Sequence, residues 1–136
     1  MNKYLLDTNV VSETRKPRPH GAVMEWLGGM EVGSTFLSAV TLGELQVGIE
    51  KTRRQDPRKA EEIGGWADQL AATYEVLPMD APCFREWARI MPNQQPEFLE
   101  DAMIAATARV HRLIVATRNE RDFRRLDVQT FNPFKR

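Results

Sequence analysis

The chain is 136 residues long, 42% hydrophobic and 28% charged, with a mean hydropathy of -0.47; this fits one globular domain spanning 1–136. Nineteen basic residues cancel nineteen acidic ones, so bulk charge does not announce a polyanion binder, and no apolar run approaches the roughly 20 residues of a membrane span. A single cysteine, Cys83, excludes an internal disulfide, and two isolated histidines, His20 and His111, argue against a zinc site of soft ligands.

Lys3-Tyr-Leu-Leu-Asp7 is a short apolar run closed by an acid. It predicts a buried strand with Asp7 at its C-terminal end. The apolar stretch from Met1 to Leu6 is too short for a signal peptide, so a cytoplasmic protein without membrane association is expected. Thr8 or Asn9 is placed to cap a short helix through Val10, Val11 and Glu13, and Lys16-Pro-Arg-Pro19 breaks the chain. Val23, Trp26, Leu27 and Met30 recur at helical spacing, so 20–30 reads as a helix. Thr35-Phe-Leu-Ser38 reads as a second strand. Thr41 with Glu44 three residues later resembles a capping box that opens a helix carrying Leu42, Leu45, Val47 and Ile49.

Asp56-Pro57 predicts the start of a longer helix with Ile63, Trp66, Leu70 and Ala71 on one face, weakened at Gly64-Gly65. Val76-Leu77 is a brief third strand, and Asp80 caps a helix carrying Phe84, Trp87, Ala88 and Met91. After a loop from Pro92 to Pro96, 98–110 reads as a helix whose alanines suit close packing on a sheet. Leu113-Ile-Val-Ala116 is the most apolar strand candidate. A short helix over 120–126 and a strand over 128–131 complete the pattern. Strands alternate with helices, which argues for a mainly parallel sheet covered on both faces.

In such sheets ligands bind beyond the C-terminal strand ends. Asp7 lies there, as do Thr117, Arg118 and Asn119, with Asp122 one step further. Glu44 and Asp101 fall in first helical turns, where acids also occur for dipole and capping reasons. Four carboxylates brought together repel one another unless a hard cation such as Mg²⁺ or Mn²⁺ neutralises them. That cation chemistry suits phosphodiester hydrolysis. Asn119, Thr8 and Thr117 are placed to orient water or touch a phosphate. The segment 109–136 holds eight basic residues against three acidic ones, and within it Arg118, Arg121 and Arg124 are candidate RNA-phosphate contacts.

Four segments, in order, resemble the motifs of the PIN domain: Leu5-Leu-Asp-Thr-Asn-Val-Val-Ser-Glu13, Ser38-Ala-Val-Thr-Leu-Gly-Glu-Leu45, Asp101-Ala-Met-Ile-Ala-Ala-Thr-Ala108 and Ala116-Thr-Arg-Asn-Glu-Arg-Asp-Phe123. The closing Phe131-Asn-Pro-Phe134 is similar to the family's tail, and the nearest branch looks like the VapC/FitB-type toxins. The resemblance implies an α/β/α sandwich and Mg²⁺- or Mn²⁺-dependent endonucleolytic cleavage of RNA. It implies a metal site of Asp7, Glu44, Asp101 and Asp122, with Asp7 and Asp101 as direct ligands; Thr8, Asn9, Thr117 and Asn119 are the candidate supporting residues. It also implies a cognate antitoxin as partner, and a homodimer or a hetero-oligomer with that antitoxin. At Asn119 many relatives carry a further acid, which argues against a full second metal site.

Other residues read as structural. Cys83 is expected in the core, Trp26, Trp66 and Trp87 in the core or a dimer interface, His20 at the surface and His111 at a helix end. The alternative class is a non-catalytic PIN module that holds RNA or an antitoxin without cutting. A haloacid-dehalogenase-like phosphatase would need a second acid two residues after Asp7, where Asn9 stands. Cleavage of DNA is not excluded by metal chemistry alone.

Overall fold

The computed structural model describes residues 1–135; Arg136, one of the eight basic residues of the C-terminal segment, lies outside them. Five strands, β1 (Tyr4–Leu6), β2 (Thr35–Ser38), β3 (Glu75–Leu77), β4 (Ile114–Ala116) and β5 (Thr130–Phe131), form one sheet in the order β3-β2-β1-β4-β5. Every pairing is parallel. The connecting helices are α1 (Thr8–Val11), α2 (Gly21–Gly28), α3 (Ala39–Arg53), α4 (Pro57–Thr73), α5 (Ala81–Ile90), α6 (Leu99–His111) and α7 (Glu120–Arg125).

Side chains alternate across a strand, and here the alternation divides the core in two. Leu5 and Val115 point to one face, where they pack with Ala102, Ile104 and Ala105 of α6, Ile90 of α5 and Phe123 of α7. Leu6, Leu37 and Ala116 point to the other, against Val10 and Val11 of α1, Val23 of α2 and Leu70 of α4. The result is the expected α/β/α sandwich. β1 and β4 are apolar on both faces because both faces are covered. The alanines of α6 let its backbone approach the sheet closely.

Several local expectations differ from the structure. Asp7 itself caps α1, accepting the Thr8 N–H at 2.8 Å, because it is the single residue between the strand and the helix. Likewise Ser38 caps α3 through the Val40 N–H at 3.0 Å. The Thr41–Glu44 capping box is therefore not formed: Thr41 is already inside α3, with its hydroxyl buried and unpartnered among the described residues. Asp56 and Asp80 cap α4 and α5 as the sequence suggests, and α4 runs unbroken through Gly64 and Gly65. The segment between α5 and α6 is two 3-10 turns, 91–93 and 96–98, rather than an open loop. α2 and β5 are shorter than expected, the last strand by two residues.

Cys83 is fully buried. The three tryptophans are half-buried, and two have satisfied indoles, Trp66 donating to Thr14 Oγ1 at 2.8 Å and Trp87 to the Leu99 carbonyl at 3.3 Å. His20 is half-buried rather than at the surface, its ring edge-on to Phe134 at 5.2 Å.

Candidate active site

The strand order reverses its direction of growth between β1 and β4, and a doubly wound sheet opens a crevice beyond the strand ends at that point. Asp7 leaves β1 there and Thr117 leaves β4. The main chains are tied, with the Asp7 N–H donating to the Ala116 carbonyl at 2.9 Å. The side chains are tied too: Thr117 Oγ1 donates to Asp7 Oδ2 at 2.8 Å and Asn9 Nδ2 to the same oxygen at 3.2 Å. Asn119 N–H donates to Thr117 Oγ1 at 2.9 Å, and Arg118 N–H to Asn9 Oδ1 at 3.2 Å. Thr8 Oγ1 donates to Glu44 Oε1 at 3.2 Å, which brings the second motif to the first. Thr8, Asn9, Thr117 and Asn119 thus hold the acids and one another.

The electrostatics identify which carboxylates share this crevice. Asp7 is only 6% exposed. Burial raises its pKa above the ordinary value, opposed by the hydrogen bonds from Thr117, Thr8 and Asn9. Asp101, half-buried at the start of α6, is pushed up to about 6, first by burial and then by the charges of Asp7, Asp122 and Glu100. Glu44 is pushed up to about 8, by burial first, then by Glu100, to which its protonated form donates a hydrogen bond, and by the charge of Asp7. The charge of Asp7 therefore reaches both Glu44 and Asp101, and the charge of Asp122 reaches Asp101. Sequence reasoning missed Glu100, although it precedes Asp101. It also missed Glu13, which is 3% exposed, pairs with Lys16 and accepts the His20 N–H at 2.8 Å. Glu13 fixes the turn after α1 and does not face the other acids; nothing in its local pattern marks a buried charge.

Oxygen donors, raised carboxyl pKa values and no thiolate or imidazole nearby make a donor set suited to a hard divalent cation. Among the described residues, however, no three such side chains are gathered closely enough to hold a metal ion by themselves. The acids share a neighbourhood without converging on one point. A hard divalent cation that keeps several waters and takes one or two carboxylates directly would fit such a set. Asp122 lines a separate cleft beside Arg118, Arg121 and Arg124, so it reaches the site from its rim.

A PIN-domain family model matches residues 4–129. Toxin FitB of Neisseria gonorrhoeae is 35% identical over 136 residues, covering 96% of this chain and 97% of its own. VapC ribonuclease Y4jK of Sinorhizobium fredii is 31% identical over 142 residues, with 96% and 97% covered. The crystal structure of FitAcB from Neisseria gonorrhoeae superposes with a TM-score of 0.85 at 33% identity, over 98% of this chain and 99% of that one.

Proposed function

Because this chain belongs to the PIN-domain family, we propose that it is a metal-dependent endoribonuclease acting in the cytoplasm as the toxin of a toxin–antitoxin pair. One observation carries the reading: Asp7 is fixed by Thr117 and Asn9 at the reversal point of the sheet, and the carboxyls of Glu44 and Asp101 are perturbed by its charge. The names of its relatives, a toxin and a ribonuclease, supply the substrate class and the biological role.

Asp7 and Asp101, together with Glu44 and Asp122, would hold Mg²⁺ or Mn²⁺. Such an ion supplies charge compensation and Lewis acidity toward a phosphoryl oxygen. The protein's own part is positional. Thr117 and Asn9 aim Asp7 Oδ2, and Thr8 turns Glu44 inward. Burial keeps the crevice low in dielectric, so each charge placed there acts strongly. Asn119 offers its amide to a phosphate or a water. A cognate antitoxin silences the site, and the chain assembles as a homodimer or as a hetero-oligomer with that antitoxin.

Inducing the chain without an antitoxin in bacterial cells tests this reading. The wild type arrests growth, and Asp101→Asn at equal expression does not. Growth arrest by Asp101→Asn equal to the wild type's would point to the non-catalytic binding module instead.

A further inference from the structure

The C-terminal tail reaches the site from the edge of the sheet. The Phe131 carbonyl accepts the Thr117 N–H at 2.9 Å, and Asn132 Oδ1 accepts the Phe134 N–H at 2.9 Å. That turn sets the Phe134 ring under Arg118, whose guanidinium carbon stands 3.8 Å from the ring centroid. His20 meets the same ring edge-on, so Phe134 is held from two sides. Arg118 is anchored at its other end as well: its N–H donates to Asn9 Oδ1, and Asn9 donates to Asp7.

Arg118 borders an open cleft of about 420 Å³ that also carries Arg121, Asp122, Arg124 and Lys135. Two of these cations are engaged, since Glu120 pairs with Arg124 at 3.2 Å and Lys135 at 3.1 Å. Arg118 and Arg121 are exposed and make no salt bridge among the described residues. A free arginine loses rotamer entropy when it grips an anion. One stacked on an aromatic ring has lost part of it already, while its in-plane N–H donors stay available.

We propose that Phe134 is a positioning residue: by stacking on Arg118 it presents that guanidinium, with Arg121, as a subsite for an RNA backbone phosphate beside Asp122. This rests on RNA being the substrate. The cleft, rather than the acidic crevice, takes the phosphate, because a polyanion avoids the carboxylates until their charge is compensated.

The test is binding of a fluorescein-labelled single-stranded RNA of mixed sequence, by anisotropy in EDTA over a range of salt, beside steady-state cleavage with Mg²⁺. Phe134→Ala is expected to weaken binding about two- to fivefold and to raise KM with kcat little changed, while Phe134→Tyr restores both. Arg118→Gln, an exposed change, is expected to lower the salt slope by about one, which keeps the test available if Phe134→Ala melts early. Equal affinity and salt slope in the wild type, Phe134→Ala and Arg118→Gln would overturn the inference even if all three cleave RNA. A fall in kcat with unchanged KM and binding would also overturn it. The expected loss of binding in EDTA would support it even if the carboxylates proved idle, so the two readings fail separately.

Discussion

Replacing Glu44 with glutamine is expected to stabilise the metal-free protein near pH 8 and to leave it almost unchanged near about pH 5. Glu44 rises from 4.5 to about 8 on folding, through burial first, then Glu100 and Asp7. Between those values the folded protein keeps a proton that the unfolded chain releases. Stability therefore falls as pH rises from 4.5 and stops falling above about 8. The displacement sets a ceiling of about 5 kcal/mol. Glu44 is only half-buried, and solvent screening brings the realistic figure to about 1–2 kcal/mol. Glutamine carries no charge and keeps an oxygen to accept from Thr8 Oγ1. For a chain of this length that corresponds to about 4–8 °C in Tm. Thermal unfolding in EDTA at the two pH values reads it directly. A Tm near pH 8 equal to or below that of the wild type would refute the electrostatic reasoning.

Three further outcomes follow from the same geometry. Thr117→Val removes the 2.8 Å hydrogen bond to Asp7 Oδ2 and the acceptor of the Asn119 N–H; cleavage should fall about 10–100-fold, and kinetics within twofold of the wild type would contradict the positioning role. Glu13→Ala strips the buried partner of Lys16 and of the His20 N–H, so it should cost about 2–4 kcal/mol by urea titration while the folded fraction keeps its kcat. Mg²⁺ binding should release protons and tighten as pH rises from about 6 to about 8, because the ion displaces protons from Asp101 and Glu44; calorimetry in buffers of differing ionisation enthalpy would show no proton release if those carboxyls were not involved.

The strands and the position of Asp7 are legible in the sequence because a short apolar run ending in an acid has few other uses. Leu5-Leu6 and Ile114-Val115-Ala116 have no polar face, which a sheet covered on both sides explains. Helix starts were read less well, for one physical reason. Asp7 directly follows β1, Ser38 ends β2, and each caps the next helix, so the caps lie earlier than the first obvious capping residues, Thr8 and Thr41. The error over Thr41 bears on function. A Glu44 engaged in a capping box would be committed to its own backbone, whereas the observed Glu44 turns to Thr8 and Glu100. Glu100 and Glu13 were not legible, since a charged residue has no periodicity of its own and its burial depends on which distant segments close over it. The stacking of Phe134 on Arg118 likewise joins positions that only the fold brings together.

The most direct test of the central claim is cleavage of total bacterial RNA by purified, antitoxin-free protein, with Mg²⁺ or Mn²⁺ and with EDTA, beside Asp7→Asn. The account predicts discrete products that require both the metal and Asp7. RNA left intact with either metal by a folded, antitoxin-free sample, or cleavage that persists in Asp7→Asn, would contradict it.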